Sequence, residues 1–498
     1  MNQNIEKIAI VGGGTAGWIT AACLARVLPK QFCSVVLVEA PDIDTVGVGE
    51  ATIPPIVDFI RFLGIDTKDF LKKTNATHKL AIHFQDWFRL GESYWHPFGA
   101  VGANINKAPF FPYWLKCWKN KKAEDYTQYS AAVHMASAGR FAFPESFSTG
   151  FITGASYAWH FDAALVAQYL REYALRLGVQ RIEARVENVE LDCEGAVQNL
   201  RLQDNSRLDA DFFIDCTGFR AALIGKSLSV PFIDWSHYLP CDSAIAIQTQ
   251  TLAETKPYTI ARALRHGWQW QIPLQNRIGN GYVYSRRFCD PEQALIELRA
   301  NLPAQEHSEP RYLSFKAGHR ERFWEKNCLS IGLASGFLEP LESTSIHLIM
   351  RAVKLFIELF PNRAIQSANV AEYNRLMHQE YEAIRDFLLL HYCTTKRDDS
   401  EFWRQCQSAP IPESLRAKMD LYTQQGRLYK NEHDLFKSFS WYSVFTGMHV
   451  YPQDYDPLSD LVPSAELENI MVSLTKTVRE EIKALPGYDR FLADHLSD

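Results

Sequence analysis

The sequence predicts an α/β fold that begins with a Rossmann-type βαβ unit and ends in a mostly helical region. The segment KIAIVGGGTAGWITAACLARVL reads as a strand, a glycine turn and a helix, and SVVLVEA at 34–40 reads as the next strand. Residues 184–219 read as two strands around the turn Asp192–Gly195, followed by an apolar strand that ends at Asp215. Beyond about residue 365 the apolar residues recur three and four apart, which is the spacing of helices.

Composition narrows the class of protein. The 498 residues suffice for two to three domains, and a formal net charge of -6 without a Lys/Arg cluster predicts no nucleic-acid partner. The ten cysteines are scattered without a CxxC pair, which is typical of reduced thiols in a cytoplasm. Three consecutive glycines interrupt the uncharged run Ile8–Ala25 and no cleavage pattern follows it, so we expect no signal peptide, no membrane span and a cytoplasmic location.

Glycines in the first turn indicate a dinucleotide site. Gly12, Gly14 and Gly17 form GxGxxG between the first strand and helix, and Glu39 ends the next strand. The glycines permit close backbone approach to a pyrophosphate, and the carboxylate can accept hydrogen bonds from ribose hydroxyls. This context favours a dinucleotide over a chance glycine turn without separating FAD from NAD. A second glycine-rich turn at 45–56 favours FAD, although an ordinary turn is the alternative.

The segment GWQWQIPL at 267–274 has the alternation of a strand. Trp268, Trp270 and Ile272 share one face of it, and Pro273 ends the ladder. From these residues alone, the simplest interpretation is a core strand with heavy aromatic side chains.

Lys79 lies in HKLAIHF, where alternation places the apolar residues 80, 82 and 84 on one strand face and Lys79 on the other. By composition alone, this lysine is a solvated side chain on a half-buried strand.

The segment EPLESTSIHLIMRAVKLF predicts a helix with Ser343, Thr344 and Ser345 at its start and Glu342 just before it. An ordinary Ser/Thr cap is one interpretation. The other is an anion site, because the free amides and the dipole of a helix N-terminus attract anions.

Together these motifs resemble those of the flavin-dependent tryptophan halogenases, and the resemblance runs along nearly the whole chain. The segments that carry it are GGGTAGW, VGVGEAT, WxWxIP, TNATHKLAIHFQDW (74–87), YAWHFDAA (157–164), GHRERFWEKNCLSIGLASGFLEPLEST (318–344) and IRDFLLLHYCTTKRDD (384–399).

The resemblance implies a fold like that of flavin monooxygenases. A discontinuous FAD-binding box is then expected at 1–98, 155–235 and 312–365, with inserted sheet and loop regions at 99–154 and 236–311. A helical region at 366–498 would cover the substrate.

The same resemblance implies the reaction and its participants. Reduced FAD from a separate NAD(P)H-dependent flavin reductase, oxygen and a halide, bromide or chloride, would give hypohalous acid. The acid would pass to a separate pocket and halogenate an aromatic substrate. A homodimer is left open.

Site residues follow from the matching motifs. Lys79 is expected to bind the hypohalous acid, and Glu342 to take a proton from the halogenated ring or to orient the oxidant, with Ser343 as an accessory. Thr344 and Ser345 are expected at the halide, and Trp268 and Trp270 as a wall beside the flavin. The expected cofactor-binding residues are Gly12, Gly14, Thr15, Ala16, Gly17, Glu39, Gly49, Glu50, Ala51, Gly332 and Leu338.

The substrate residues match the family less completely. His96 and Phe98 in YWHPFG match a pair that packs against an indole ring, with buried core aromatics as the alternative. Trp441 and Tyr442 stand where tryptophan-specific members place paired tyrosines. Met448 and His449 occupy the positions where a glutamate would hold the ammonium group. We therefore expect an indole, a phenol or a larger scaffold, and not necessarily free tryptophan.

Two other functions remain open. A hydroxylating flavin monooxygenase would share the fold, but the WxWxIP motif and the presence of GLASG (332–336) in place of the usual GD flavin motif favour halogenation. A flavin-binding carrier without turnover is the second. A metal site is not expected, because His78 and His83 are five apart and HExxH is absent.

Overall fold

The computed structural model describes residues 4–41, 49–429 and 434–497. The chain divides into two compact units. The first comprises Met1–Ala76, Phe161–Ser236 and Phe315–Glu382, and the second comprises Thr77–His160, His237–Ser314 and Ala383–Asp498.

A six-stranded sheet forms the centre of the first unit. Its strand order is Trp324–Glu325, Cys328–Ser330, Phe212–Asp215, Lys7–Val11, Ser34–Glu39 and Gln180–Glu183, and all neighbours are parallel except the first pair. The predicted βαβ unit is confirmed, because the helix Thr15–Val27 follows the first strand and Ser34–Glu39 pairs with that strand in parallel. The start of the uncharged run is thus a buried strand and its end is a helix.

Two antiparallel sheets of three strands also belong to the first unit. One contains Val186–Leu191, Val197–Leu202 and Arg207–Asp209, and the other contains Phe232–Asp234, Gly318–Arg320 and Gly336–Phe337. The predicted pair of strands at 184–219 and the strand that ends at Asp215 are therefore confirmed, with one further short strand between them. The helices are Thr15–Val27, Pro55–Leu63, Thr67–Lys73, Ala163–Arg176 and Ser345–Glu358.

A seven-stranded sheet forms the centre of the second unit. Its strand order is Arg311–Ser314, Ser243–Thr249, Ile278–Tyr284, Gly267–Pro273, Thr259–Leu264, Ala81–Gln85 and Ser93–Pro97. Thr259–Leu264 and Ala81–Gln85 are parallel, and the other neighbours are antiparallel. The predicted strand around Trp268 and Trp270 is confirmed as the buried strand Gly267–Pro273.

Helices make up the regular structure beyond residue 366 in the described part of the chain, as predicted. They are Ser367–Cys393, Glu401–Gln407, Glu413–Gln425, Ser438–Gly447, Ser464–Lys483 and Tyr488–Leu496. Phe110–Lys119, Ala131–Ser137 and Pro291–Ala300 are the earlier helices of the second unit. Within the described ranges, no helix combines the length and the apolar character needed to cross a membrane.

The predicted strand through Lys79 is interrupted. Thr77–Lys79 pairs with the strand Ala158–Asp162, whereas Ala81–Gln85 belongs to the seven-stranded sheet. Between them, the backbone of Leu80 donates to the Pro257 carbonyl oxygen at 2.8 Å instead of continuing one ladder. The alternation of strand faces therefore does not continue from Ala81–Gln85 to Lys79. The expectation of a solvated lysine is wrong, because Lys79 is 0% exposed.

Candidate functional site

Close packing explains two of the three glycines in the N-terminal turn. Gly12 has a φ of +116°, and a Cβ there would lie 2.2 Å from the carbonyl oxygen of Cys216. A Cβ at Gly17 would lie 1.9 Å from the carbonyl oxygen of Gly12. At Gly14, which precedes the helix Thr15–Val27, a Cβ would meet no atom of the described residues within 4 Å, its chain neighbours aside. The backbone at Gly14 can therefore be approached closely at the start of a helix, which suits a phosphate group.

Glu39 is held against this turn by two residues that the sequence analysis missed. Its Oε2 accepts a hydrogen bond from Trp18 Nε1 at 3.2 Å, and its Oε1 accepts one from the guanidinium of Arg181. A Cβ at Gly13 would overlap the Glu39 carboxylate, so the turn and the carboxylate are in direct contact. The tryptophan belongs to GGGTAGW and could have been noticed there, whereas Arg181 is brought in by the next parallel strand.

Three other expected cofactor residues, Thr15, Ala16 and Gly332, lie in or against the first turn of the helix Thr15–Val27. A Cβ at Gly332, whose φ is +70°, would lie 2.7 Å from the Cβ of Ala16, so the GLASG segment packs on the helix start. The Thr15 hydroxyl bonds the Ala163 carbonyl oxygen at 3.5 Å, and Leu338 is buried. The structure thus brings GLASG against the glycine turn.

The second glycine-rich turn is described only from Gly49 onwards, and residues 45–48 lie outside the described part of the chain. Gly49–Ala51 forms a short strand. Burial raises the pKa of Glu50 to about 7 from its usual 4.5, although the residue keeps some exposed surface. This carboxyl group therefore gains or loses a proton near neutral pH.

The predicted helix start at residues 343–345 is confirmed by the helix Ser345–Glu358. Glu342, just before it, is fully buried. Ser343 has a left-handed backbone with φ +59°, a conformation uncommon for a residue other than glycine. Thr344 is the N-cap residue, yet its hydroxyl makes no cap hydrogen bond.

The hydroxyl of Thr344 is buried and lacks a hydrogen-bond partner within the described residues. A buried polar atom without a partner is costly, and such atoms in native proteins call for an explanation. Together with the free amides of the first helical turn, this donor could be satisfied by an anion.

Lys79 lies against Phe98 in the second unit. Its Nζ is 5.0 Å from the centre of the Phe98 ring, within the range of a cation–π contact. The ring of His96 lies 6.2 Å from that of Phe98, nearly perpendicular to it. The structure thus brings Lys79 together with the pair His96 and Phe98, which a different motif had singled out.

An aromatic row continues from His96. The Phe387 ring lies 5.5 Å from His96, it stacks on Phe436 at 3.8 Å, and it contacts Trp441 edge-on at 4.9 Å. We call His96, Phe387, Phe436 and Trp441 the aromatic row. These contacts are compatible both with a wall beside a flat substrate and with a buried aromatic core.

Tyr442 does not join the aromatic row. Its ring stacks on Phe111 at 3.6 Å with an interplanar angle of 2°, and its hydroxyl donates to the carbonyl oxygen of Gly426 at 3.1 Å. Neighbouring residues on a helix point about 100° apart, so Trp441 and Tyr442 enter different clusters.

Trp441 has a cationic neighbour that the sequence analysis missed. The ammonium of Lys418 lies 3.9 Å from the centre of the Trp441 ring, and its surroundings lower its pKa through desolvation, against the opposite effects of Asp434 and Asp386. Asp386 is itself paired with Arg385 at 2.8 Å. The i, i+3 and i+4 spacing of a helix gives no sign of this contact, because it joins two separate helices.

The two positions where a glutamate would be expected offer no carboxylate. Met448 is buried. His449 stacks on Phe88 at 4.4 Å and pairs with Glu92 at 3.0 Å.

Trp268 and Trp270 lie side by side in the buried strand, with ring centres 6.1 Å apart, as their alternation predicts. Gly281 is directly opposite Trp270 on the adjacent strand, and a Cβ there would be 1.9 Å from the indole. The absence of a side chain at Gly281 therefore makes room for the Trp270 ring.

One potential group of metal ligands occurs among the described residues: His266, Cys289 and Glu297, whose ligand atoms lie within 4.8 Å of one another. The Glu297 carboxylate already accepts hydrogen bonds from His266 at 3.0 Å and Tyr282 at 2.8 Å. Burial raises the pKa of the Cys289 thiol to about 12, which disfavours the thiolate. The hydrogen bonds of Glu297 therefore explain, without a metal ion, why these side chains lie close together.

Comparison with known proteins gives a consistent result. The family described as tryptophan halogenase matches residues 7–464. Tryptophan 7-halogenase RebH of Lentzea aerocolonigenes is 34% identical over 99% of this chain and 99% of that protein. Tryptophan 6-halogenase SttH of Streptomyces toxytricini is 33% identical over 99% of this chain and 98% of that protein.

Solved structures agree with the sequence relatives. A flavin-dependent halogenase from Xanthomonas campestris is 43% identical, with a TM-score of 0.95 and coverage of 99% of this chain and 98% of that one. BrvH, a flavin-dependent halogenase from Brevundimonas sp. BAL3, is 38% identical, with a TM-score of 0.95 and coverage of 99% of this chain and 100% of that one. The likeness therefore extends over both units.

Proposed function

Because the chain belongs to the tryptophan halogenase family and is a flavin-dependent halogenase, we propose that it halogenates an indole-like aromatic substrate, not necessarily free tryptophan. The reactants are reduced FAD from a separate NAD(P)H-dependent reductase, oxygen, and bromide or chloride. With one proton, they give FAD, hypohalous acid and water. The hypohalous acid then replaces a ring hydrogen by halogen and releases a second water.

The residues of the first unit fit FAD. The accessible backbone at Gly14 suits the pyrophosphate, and the Glu39 carboxylate, oriented by Trp18 and Arg181, suits a ribose. Bound reduced FAD would supply the two electrons that reduce oxygen. Thr344 and Ser345 would hold the halide, because the helix start and the unpartnered Thr344 hydroxyl both favour an anion.

The burial of Lys79 is the observation that carries the proposal. An ammonium group with no exposed surface, 5.0 Å from the Phe98 ring, is a strong hydrogen-bond donor in an aromatic environment. It would bind the oxygen of hypohalous acid and make the halogen more electrophilic towards a ring. Trp268 and Trp270 would keep the organic substrate away from the flavin.

Glu342 is proposed as the group that takes the proton from the halogenated ring or orients the oxidant. Because Glu342 is fully buried, its carboxyl group lies where bulk water is excluded, as suits a group that takes a proton from a bound ring. Ser343, next to it, would have an accessory role.

Charge near the aromatic row argues against a substrate ammonium group. Lys418 places a cation on Trp441, and the positions of Met448 and His449 supply no carboxylate. A head with an ammonium group alone, as in tryptamine, would bring a second cation close to Lys418, which is unfavourable, whereas the head of an amino acid would also bring a carboxylate. An arene without a cationic head avoids this repulsion.

The test is a reaction with a flavin reductase, FAD, NADH and bromide or chloride, read by mass spectrometry. Indole, a phenol, tryptamine and free tryptophan form the substrate panel. We expect halide-dependent replacement of hydrogen by halogen, with indole preferred to tryptamine and tryptophan. A gain of one oxygen would indicate a hydroxylase instead, and flavin binding without any product would indicate a carrier.

A further inference from the structure

We infer that His160 is a positioning residue for Lys79, an inference that rests on the proposed role of Lys79 in halogenation. His160 lies on the strand Ala158–Asp162, which pairs antiparallel with Thr77–Lys79. It is fully buried, and the hydrogen bonds of its two ring nitrogens are both made to threonine hydroxyls.

Strand register places His160 and Lys79 on the same face. Thr77 is opposite His160, and Lys79 is opposite Ala158. Residues two apart on a strand share a face, so the imidazole and the ammonium group project to the same side of this pair of strands. The small side chain of Ala158 leaves room for the lysine, while His78, between Thr77 and Lys79, projects to the other side.

The hydrogen bonds determine which ring nitrogen of His160 carries the proton. The Thr77 hydroxyl lies 2.6 Å from the Pro273 carbonyl oxygen, which can only accept, so the hydroxyl proton is used there. The same hydroxyl oxygen lies 3.0 Å from His160 Nδ1 and therefore accepts the Nδ1 proton. His160 Nε2, at 2.8 Å from the Thr259 hydroxyl, then accepts a hydrogen bond from Thr259.

In a neutral imidazole only Nδ1 donates and Nε2 accepts from Thr259, whereas a protonated ring would donate from both nitrogens. Burial and the nearby Lys79 ammonium both hold the pKa of His160 well below its usual value. A neutral ring keeps a second positive charge away from Lys79. A series of three hydrogen bonds thus holds the short strand that ends at Lys79. It runs from Thr259 through His160 and Thr77 to Pro273.

The experiment compares His160→Leu with His160→Asn. Leucine removes both hydrogen bonds, whereas the asparagine amide can restore the donor towards Thr77 at the place of Nδ1. His78→Asn is the matched control, because His78 is equally buried and adjacent to Lys79, but its ring bonds the Tyr488 hydroxyl and neither of the two threonines. Thermal unfolding and FAD binding first establish that each variant is folded.

The accessibility of the Lys79 amine is measured without turnover. The measurement is the rate at which an amine-reactive reagent acylates Lys79, followed by peptide mass spectrometry. We expect faster acylation of Lys79 in His160→Leu than in the wild type, and wild-type rates in His160→Asn and His78→Asn. Halogenated product per hydrogen peroxide released should fall about 10- to 100-fold in His160→Leu and recover in His160→Asn.

Unchanged acylation and halogenation in folded His160→Leu would overturn the inference. If this variant does not fold, Thr77→Val takes its place, since valine keeps the shape of the side chain and removes the hydroxyl. Wild-type acylation and halogenation in Thr77→Val would overturn the inference equally. Wild-type protein that makes no halogenated product would contradict the proposed function alone, because the acylation rates still report on the link between His160 and Lys79.

Discussion

The hydroxyl of Thr77 donates a hydrogen bond to the carbonyl oxygen of Pro273 at 2.6 Å. This bond joins the strand that ends at Lys79 to the end of the strand that carries Trp268 and Trp270. The proposed oxidant-binding lysine and the proposed barrier are therefore held by one local network, and a change in either strand is expected to disturb the other.

Replacement of Lys79 by alanine is expected to abolish halogenation, because alanine has no ammonium group to bind the hypohalous acid. FAD binding and release of hydrogen peroxide should be retained. Product is measured by mass spectrometry and peroxide by a coupled assay. Retained halogenation would remove Lys79 from the mechanism.

Lys116 offers the matched control for that variant. It is also buried, but its Nζ pairs with Asp460 at 2.9 Å and donates to two carbonyl oxygens. Lys116→Ala should lower the thermal unfolding temperature and leave the ratio of halogenated product to peroxide unchanged in the folded protein.

Thr344→Val should weaken halide binding. The variant keeps the shape of the side chain but removes the buried hydroxyl, and loss of one hydrogen bond to an anion should raise the KM for bromide about 10-fold. Thr475→Val is the control, because among the described residues the Thr475 hydroxyl bonds carbonyl oxygens of its own helix alone. An unchanged KM for bromide in Thr344→Val would count against the halide site.

Gly281→Ala should destabilise the second unit. The new methyl group would overlap the Trp270 indole, and overpacking of this kind costs about 1–3 kcal/mol in the free energy of unfolding. Denaturant unfolding measures the loss. Gly487→Ala is the control, since a Cβ there meets no atom within 4 Å. Equal stability of both variants would show that Trp270 moves freely.

Glu50→Gln should raise stability at alkaline pH. The pKa of Glu50 is raised to about 7 in the folded protein, so the folded state binds more protons than the unfolded state between pH 4.5 and 7. Stability from this group is thus present below pH 4.5 and is lost as pH rises towards 7. We expect the variant to gain about 1–3 kcal/mol at pH 8 and nothing at pH 4.

Unfolding curves of the flavin-free protein at the two pH values test this expectation. The exposed Glu382 supplies the control, and Glu382→Gln should behave as the wild type at both. A pH-independent effect of Glu50→Gln would show that the pKa of this carboxyl group is the same in the folded and the unfolded protein.

Local patterns were sufficient to predict much of the fold. GxGxxG with its flanking strand and helix identified the βαβ unit, and the apolar spacing after Ser345 located the helix start. Both features depend on residues close together in sequence, and the structure confirms them.

Features that depend on distant parts of the chain could not be predicted from local sequence patterns. The break at Leu80 arises from its hydrogen bonds with Pro257 and Phe98, which no alternation reports. The contact of Lys418 with Trp441 joins two helices, and His160 acquires its significance only when Thr77 and Thr259 lie beside it. The separation of Trp441 from Tyr442, by contrast, follows from helix geometry and could have been predicted.

The hydrogen bonds around His160 and Thr77 join residues that are 83, 99 and 196 positions apart in the chain. Contacts of such length form late, because each must first overcome the entropy of closing a long loop. In a newly synthesised polypeptide, the Lys79 amine therefore becomes buried only after more than half of the chain has emerged and folded. In a truncated or partly folded product, that amine should be exposed to water.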